Sequence, residues 1–259
     1  MITRLQRLLI ASNVKETVSN GYTGVFSFRR WGNYQGFCVR LKRLSDNAIQ
    51  DFGFLGDYLD IPAILLWSNG SALDFIEWYD QIGNLICKPY GTVQPPKLII
   101  DNSQAIFDTS LGNGMRVDGI SHENVKVTSA WKNTGTTANM VGCYFSSLTR
   151  LQFWKYGAQW LLGVNNSLIF QSTTSQDLIA RQVVTYNSDD VNGETKIYNQ
   201  SGATFTNLGN PTQTTFNLGV GINDTNGGYA GTGEIYEIII YHDNNLVNDI
   251  EQSMVTEFL

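Results

Sequence analysis

Three acids stand where chemistry is easiest to place: Asp46 in Ser45-Asp46-Asn47-Ala48, Asp51 in Gln50-Asp51-Phe52-Gly53, and Asp80 in Trp78-Tyr79-Asp80-Gln81-Ile82-Gly83-Asn84. Hydrolysis of a glycosidic bond needs two carboxyl groups about 5 to 10 Å apart, one with a raised pKa. Asp46 and Asp80 each follow a strand pattern directly and read as turn-formers. Carboxylates in such turns accept backbone N–H groups, which depresses the pKa and suits a structural anchor better than a general acid. The acidic strand Glu234-Ile235-Tyr236-Glu237 offers another pair, but residues three apart on a regular strand point to opposite faces. Nucleophilic hydrolysis has less to work with. His122 and His242 are the only 2 histidines, each followed by an acid, and there is no Gly-x-Ser-x-Gly elbow. The residues alone therefore read as a chain that is not an enzyme.

Metal and cofactor signals are weak. Asp189, Asp190, Asn192 and Glu194 lie within six residues and carry the oxygen ligands that calcium takes. Asn223-Asp224-Thr225-Asn226-Gly227 is a similar run. Neither has the twelve-residue calcium-loop pattern, and such segments also make hairpin turns. Gly219-Val220-Gly221 and Gly231-Thr232-Gly233 lack the helix that a nucleotide loop requires directly after it. No cofactor is expected, with calcium as the minor alternative. Cys38, Cys87 and Cys143 have no metal-ligand spacing. They read as free buried thiols, or as one disulfide plus one thiol.

Aromatic side chains are the better functional material, because sugars stack on flat rings while polar neighbours bind their hydroxyls. Trp31, Tyr34 and Trp131 sit among charge, Gly and Asn and are the expected exposed surfaces, for a glycan or a subunit contact. Trp78 and Trp160 read as core filling between sheets.

The elements that must carry these residues are mostly strands. Only 15% of the 259 residues are charged, with 25 glycines and 5 prolines, a loop-rich β composition rather than a disordered one. Phe37, Val39 and Leu41 alternate with Cys38, Arg40 and Lys42 and mark a half-buried strand. Ser45–Asn47 is its turn, and Ile49 to Phe54 returns as its partner. Asp60 to Trp67 reads as a short helix capped by Asp60 with Pro62 in its first turn. Leu73–Tyr79 is a strand, and short strands with Gly, Asn and Ser turns recur from residue 105. Glu234–Tyr241 is the most β-rich run and reads as central in a sheet. Val247, Ile250, Met254 and Phe258 recur at helical spacing, with Asp249, Glu251 and Glu257 outside, which predicts a closing helix over about 244–258.

Net charge is −6 overall, but residues 1–50 hold 8 Lys and Arg against 2 Asp and Glu. Residues 1–20 read as a basic arm or amphipathic helix, with Arg4 and Arg7 as docking charges for an acidic partner. Residues 21–259 read as one domain. So acidic a body argues against nucleic acid as a partner. No run of 18 apolar residues is present, so no spanning helix is expected, and the first ten residues do not make a signal peptide.

From Val25 to about Lys97 the chain resembles the catalytic domain family of arabinofuranosidase B. It is similar at Ser45-Asp46-Asn47-Ala48 through Gln50-Asp51, and at Trp78-Tyr79-Asp80-Gln81 with Gly83-Asn84, and departs at Ile82, where that family prefers Ser. The last 30 residues look like the end of a laminin-G or concanavalin-like domain. Both resemblances imply an all-β, concanavalin A-like jelly-roll sandwich with a C-terminal helix. They imply no catalytic pair, because that family's working carboxylates lie downstream of the matched region. Proteins that combine these signatures resemble virion proteins of tailed bacteriophages. The expectation is a non-enzymatic head fibre, decoration or tail accessory, made in the host cytoplasm, homo-oligomeric and bound to other virion proteins. A carbohydrate-binding module for host adhesion and a glycosidase on arabinan-like polymers are the alternatives.

Overall fold

The computed structural model describes residues 21–259, apart from 84, 90–93, 103, 110–112, 122–125, 134–136, 146–148, 157–158, 165–166, 172–180, 188–193, 200–204, 209–214 and 221–232. The arm at 1–20, with Arg4 and Arg7, lies outside the described residues.

Strand β1 (Tyr22–Ser27) comes first. Next, β2 (Val39–Arg43) and β3 (Ile49–Phe52) form the expected hairpin. Its turn has Asn47 at a φ of 62°, a conformation that Asn tolerates better than most residues. The Ala48 N–H donates to Asp46 Oδ1 at 3.1 Å. The returning strand is shorter than the sequence pattern suggests. It stops at Phe52, and after Gly53 the chain enters a separate small hairpin, β4 (Phe54–Leu55) and β5 (Tyr58–Leu59). Helix α1 (Ile61–Ser68) follows. Asp60 accepts from the Ala63 N–H at 3.1 Å, and Asn69 closes the helix in the left-handed region.

The remaining strands are β6 (Leu73–Tyr79), β7 (Ile86–Lys88), β8 (Lys97–Asp101), β9 (Gln104–Asp108), β10 (Met115–Ser121), β11 (Lys126–Asn133), β12 (Thr137–Phe145), β13 (Thr149–Tyr156) and β14 (Gln159–Val164). They continue as β15 (Ser167–Gln171), β16 (Arg181–Asn187), β17 (Glu194–Asn199), β18 (Phe205–Leu208), β19 (Thr215–Val220) and β20 (Gly233–Tyr241). A 3-10 turn at Asn244–Leu246 leads into helix α2 (Val247–Phe258).

Among the described residues the strand pairings are antiparallel, and all but the separate β4–β5 hairpin make one curled, jelly-roll-like sheet system with two faces. One face runs β1-β20-β11-β16-β17-β18. The other runs β3-β2-β6-β7-β10-β19-β12-β13-β14-β15. Strands β8 and β9 join the two through β6 and β20. Strand β20 is central, between β1 and β11.

Two apolar layers hold this together. The larger lies between the two faces, where the Trp78 ring stacks between Phe28 at 4.8 Å and Phe107 at 5.3 Å. Burying rings of that size contributes roughly 4–6 kcal/mol each, as an upper bound. In the smaller layer, Val25, Tyr236, Ile239 and Tyr241 meet Ile250, Met254 and Phe258 of α2. The sequence places Glu251 on the solvent side of that helix, yet it is buried. It adjoins Ile250 and lies three residues from Met254, within the width of the apolar stripe.

Candidate functional site

Strand β1 positions the site, and the Asp80–Gln81 corner after β6 positions β1. Asp80 Oδ1 accepts the N–H groups of Val25 at 2.8 Å and Ile82 at 3.1 Å, and Oδ2 accepts that of Leu85 at 3.3 Å. Gln81 Nε2 donates to the carbonyls of Ser27 at 2.7 Å and Arg29 at 2.9 Å, while its Oε1 accepts the Trp31 N–H at 2.8 Å. A buried Asp-Gln pair thus fixes β1 and the segment after it. The anchor role agrees with the sequence reading, but the direction of the pKa does not. Burial pushes the Asp80 carboxyl up, against the backbone N–H bonds that pull it down.

Fixing β1 and the segment after it sends Ser27, Arg29 and Trp31 toward helix α2, while Phe26 and Phe28 enter the main core. Opposite them, β20 carries an irregularity. Ala130 pairs with Glu237 and Trp131 with Ile235, so Tyr236 is an extra residue in the ladder. A bulge of this kind re-aims side chains. Ile235 and Ile238 point into the main core, whereas Tyr236 and Glu237, adjacent in sequence, both face the helix side. Glu234, which accepts from the Tyr236 hydroxyl, lies on that side too. The opposite-face expectation for Glu234 and Glu237 fails because it assumes an unbroken period of two.

The bulge delivers Glu237 to Arg29. Arg29 Nε and Nη2 reach the two carboxylate oxygens at 2.7 Å each, and Nη2 also donates to Ser253 Oγ of α2 at 3.0 Å. Trp31 Nε1 donates to Glu237 Oε1 at 2.8 Å. Glu237 is fully buried. Burial opposes the charge on Arg29, but the Glu237 carboxylate overcomes it and raises the Arg29 pKa. The guanidinium also lies 5.0 Å from the Trp31 ring centroid and 6.0 Å from that of Phe258.

This assembly forms one wall of a cavity of about 280 Å³ at the seam between β1, the β4–β5 hairpin and α2. Phe28, Tyr58, Tyr236 and Phe258 give it aromatic surface, and Arg29, Gln104 and Glu257 give it polar groups. The Tyr58 hydroxyl donates to Glu257 Oε1 at 3.2 Å. Burial, and then Glu257, raise the Tyr58 pKa. Aromatic faces next to convergent hydrogen-bonding groups are the makings of a small-molecule site.

The residues singled out from sequence fall in several places. Asp46 is on the exposed hairpin turn, bidentate to Arg43 at 3.0 and 2.6 Å. Asp51 pairs with Arg40 at 2.8 and 3.1 Å and accepts the Tyr79 hydroxyl at 2.9 Å, and its pKa is lowered by Arg40 first. Trp78 is core, as expected, and Tyr34 is partly exposed, edge-on to Phe54. Trp31 and Trp131 correct the reading. Both are buried, at 4% and 1% exposure, so neither offers an outer stacking face. Trp31 packs beneath α2, and Trp131 points from β11 into the main core. Cys38 and Cys87 are free and buried, and burial pushes both thiols up. Asp189, Asp190 and Asn192, and the side chain of Glu194, lie outside the described residues. Among the described residues no helix is long and apolar enough to cross a membrane.

Sequence reasoning missed Arg29, Tyr58, Gln104 and Glu257. The available signal was Phe26-Ser27-Phe28-Arg29, which alternates apolar and polar residues and so aims a cation opposite the core.

No protein-family model matches the chain, and no curated protein matches it. Solved structures do. An arabinofuranosidase complexed with arabinofuranosyl-α-1,2-xylobiose superposes with a TM-score of 0.74 over 96% of this chain, at 15% identity. A GH54 α-L-arabinofuranosidase soaked with a cyclic sulfate inhibitor gives the same figures. The chain spans 65% of the length of each. At this identity the likeness establishes the fold. A full-length tailspike protein of an Escherichia coli O157:H7 bacteriophage is a more distant match, with a TM-score of 0.48 at 12% identity over 64% of this chain and 27% of its own. The expectation that the chain is not an enzyme is overturned here, because the structures that match along nearly its whole length are glycoside hydrolases.

Proposed function

We propose that the protein engages a carbohydrate and that the cavity at the β1–α2 seam holds part of it. The observation that carries this reading is the pairing of aromatic surface with a guanidinium held rigid by Glu237, Ser253 and Trp31. Rings take the apolar face of a sugar, and charged hydrogen-bonding groups of fixed geometry take its hydroxyls. The fold supports a second reading, hydrolysis of an arabinose-containing polysaccharide, because the similar structures are arabinofuranosidases. Several described acids are already engaged: Asp46 with Arg43, Asp51 with Arg40, Asp80 with backbone amides and Glu237 with Arg29. That reading therefore assigns the reacting pair to other acids of the chain.

Calorimetry against arabinan, arabinoxylan and their oligosaccharides tests recognition, and release of reducing sugar from the same panel tests hydrolysis. Binding at micromolar to millimolar Kd is expected. A chain that neither binds nor cleaves any of these polymers would refute both readings. A virion setting, with this recognition turned to a host-surface glycan by a homo-oligomeric tail or fibre accessory, extends the same proposal. Mass spectrometry of purified particles checks it.

A further inference from the structure

Resting on the reading of the seam cavity as a sugar site, we propose that it takes one neutral sugar residue and rejects acidic sugars. Size comes first. A cavity of about 280 Å³ is of the scale of one sugar ring rather than of an oligosaccharide. It also falls just below the usual range of about 300–1,000 Å³ for larger ligands.

Charge then selects among rings. Recognition of a uronate or sialate carboxylate calls for an arginine whose two-nitrogen fork is free. Here the Nε and Nη2 edge of Arg29 is closed on Glu237, which is itself inaccessible, and Nη2 also donates to Ser253, so neither edge of the guanidinium offers two free nitrogens to a carboxylate. That pair is neutral as a unit. The remaining formal charge on the cavity lining is the Glu257 carboxylate, so an incoming anion meets a like charge at the rim. A neutral ring meets complementary groups instead. Glu257 accepts from hydroxyls, and Tyr58 and Phe258 supply faces for C–H groups. Tyr58 is 54% exposed, so its ring is accessible from outside, and its hydroxyl is linked to Glu257. Glu257 thus serves both as a hydroxyl acceptor and as a filter against anions.

The test uses the full chain, with arabinotriose and xylotriose as neutral probes and trigalacturonate and sialyllactose as acidic ones, read by titration calorimetry and ligand-observed NMR. The neutral probes should bind at least tenfold more tightly than the acidic ones. Glu257→Gln should weaken the neutral probes severalfold and narrow the gap to trigalacturonate, and Tyr58→Ala should weaken them about tenfold. Both side chains are exposed, so these variants remain folded, which circular dichroism verifies. Acidic probes binding as well as neutral ones would overturn the proposal. So would unchanged neutral binding in both variants, a result that leaves carbohydrate engagement standing but moves it away from this cavity. Failure of every probe and of the polymers above would remove the underlying reading, and this inference with it.

Discussion

Two arginine–carboxylate pairs of nearly the same geometry sit in opposite surroundings. Arg43 grips Asp46 with both oxygens engaged at 3.0 and 2.6 Å, on the turn of the first hairpin. Arg29 grips Glu237 at 2.7 Å twice, beneath the last helix. Asp46 is about half exposed and Glu237 is fully buried. In water the first pair adds little to stability, because solvent and ions screen it. The second has lost its solvation, so each partner depends on the other. The same contact is a turn clamp in one place and the wall of a cavity in the other. Contact geometry alone does not rank the two; burial does.

The strongest way to break this comparison is to remove one member of the buried pair. Glu237→Ala should cost roughly 3–5 kcal/mol in urea unfolding, because Arg29 is left charged and unpaired under α2. Replacing both members with apolar residues, Arg29→Met with Glu237→Leu, should recover most of that loss while abolishing sugar binding. A double variant that stays as unstable as the single one would show that packing, not charge, carries this seam.

The next largest effect separates the Asp80 corner from both pairs. Asp80→Ala strips a buried acceptor from the amides of Val25, Ile82 and Leu85 and should cost roughly 2–3 kcal/mol. Since the segment directly after β1 carries Arg29, ligand affinity should fall with it. The pH dependence has a definite sign. Burial raises the folded pKa of Asp80 above the unfolded value near 3.8. Folding then favours the protonated acid, so this contribution is full below 3.8 and is lost as pH rises through the folded value. Asp80→Asn, which cannot titrate, should close part of its gap to wild type over that rise. A gap that widens instead would contradict the raised pKa.

Much of this architecture could be read from the chain because it is local. The Asp60 cap, the Asn47 turn and the alternation of Val39 and Leu41 with Arg40 and Lys42 each follow from a few adjacent residues, and the structure has them. The alternation fails at its start, where the strand has not yet begun and Phe37 is exposed while Cys38 is buried. The cavity depends on non-local facts. Three of its parts, Arg29, Tyr58 and Glu257, come from segments brought together only by the fold. The bulge at Tyr236 reverses the face of Glu237 without a glycine to announce it, because the ladder with β11 imposes it. Trp31 and Trp131 misled for related reasons. Polar neighbours in sequence suggest exposure, but around Trp131 on its strand the flanking residues point the other way, and Trp31, in the segment after β1, is covered by residues distant in sequence.

The smallest expected effect sharpens the contrast at its other end. Asp46→Asn keeps the turn-forming shape and loses only the charge, so near neutral pH it should barely move the unfolding midpoint. Its trace should appear under acid. The Arg43 hydrogen bonds, and then the Ala48 amide, hold the Asp46 pKa down to about 2, against an ordinary 3.8. A depressed acid stabilises the fold above its unfolded pKa and loses that contribution as pH falls through the folded one. Any difference between wild type and Asp46→Asn should therefore be complete above about pH 4 and gone near pH 2. High salt should erase it at every pH, while leaving the loss in Glu237→Ala almost unchanged. If salt erased both, the two pairs would share one dielectric environment, and burial would not be what distinguishes them.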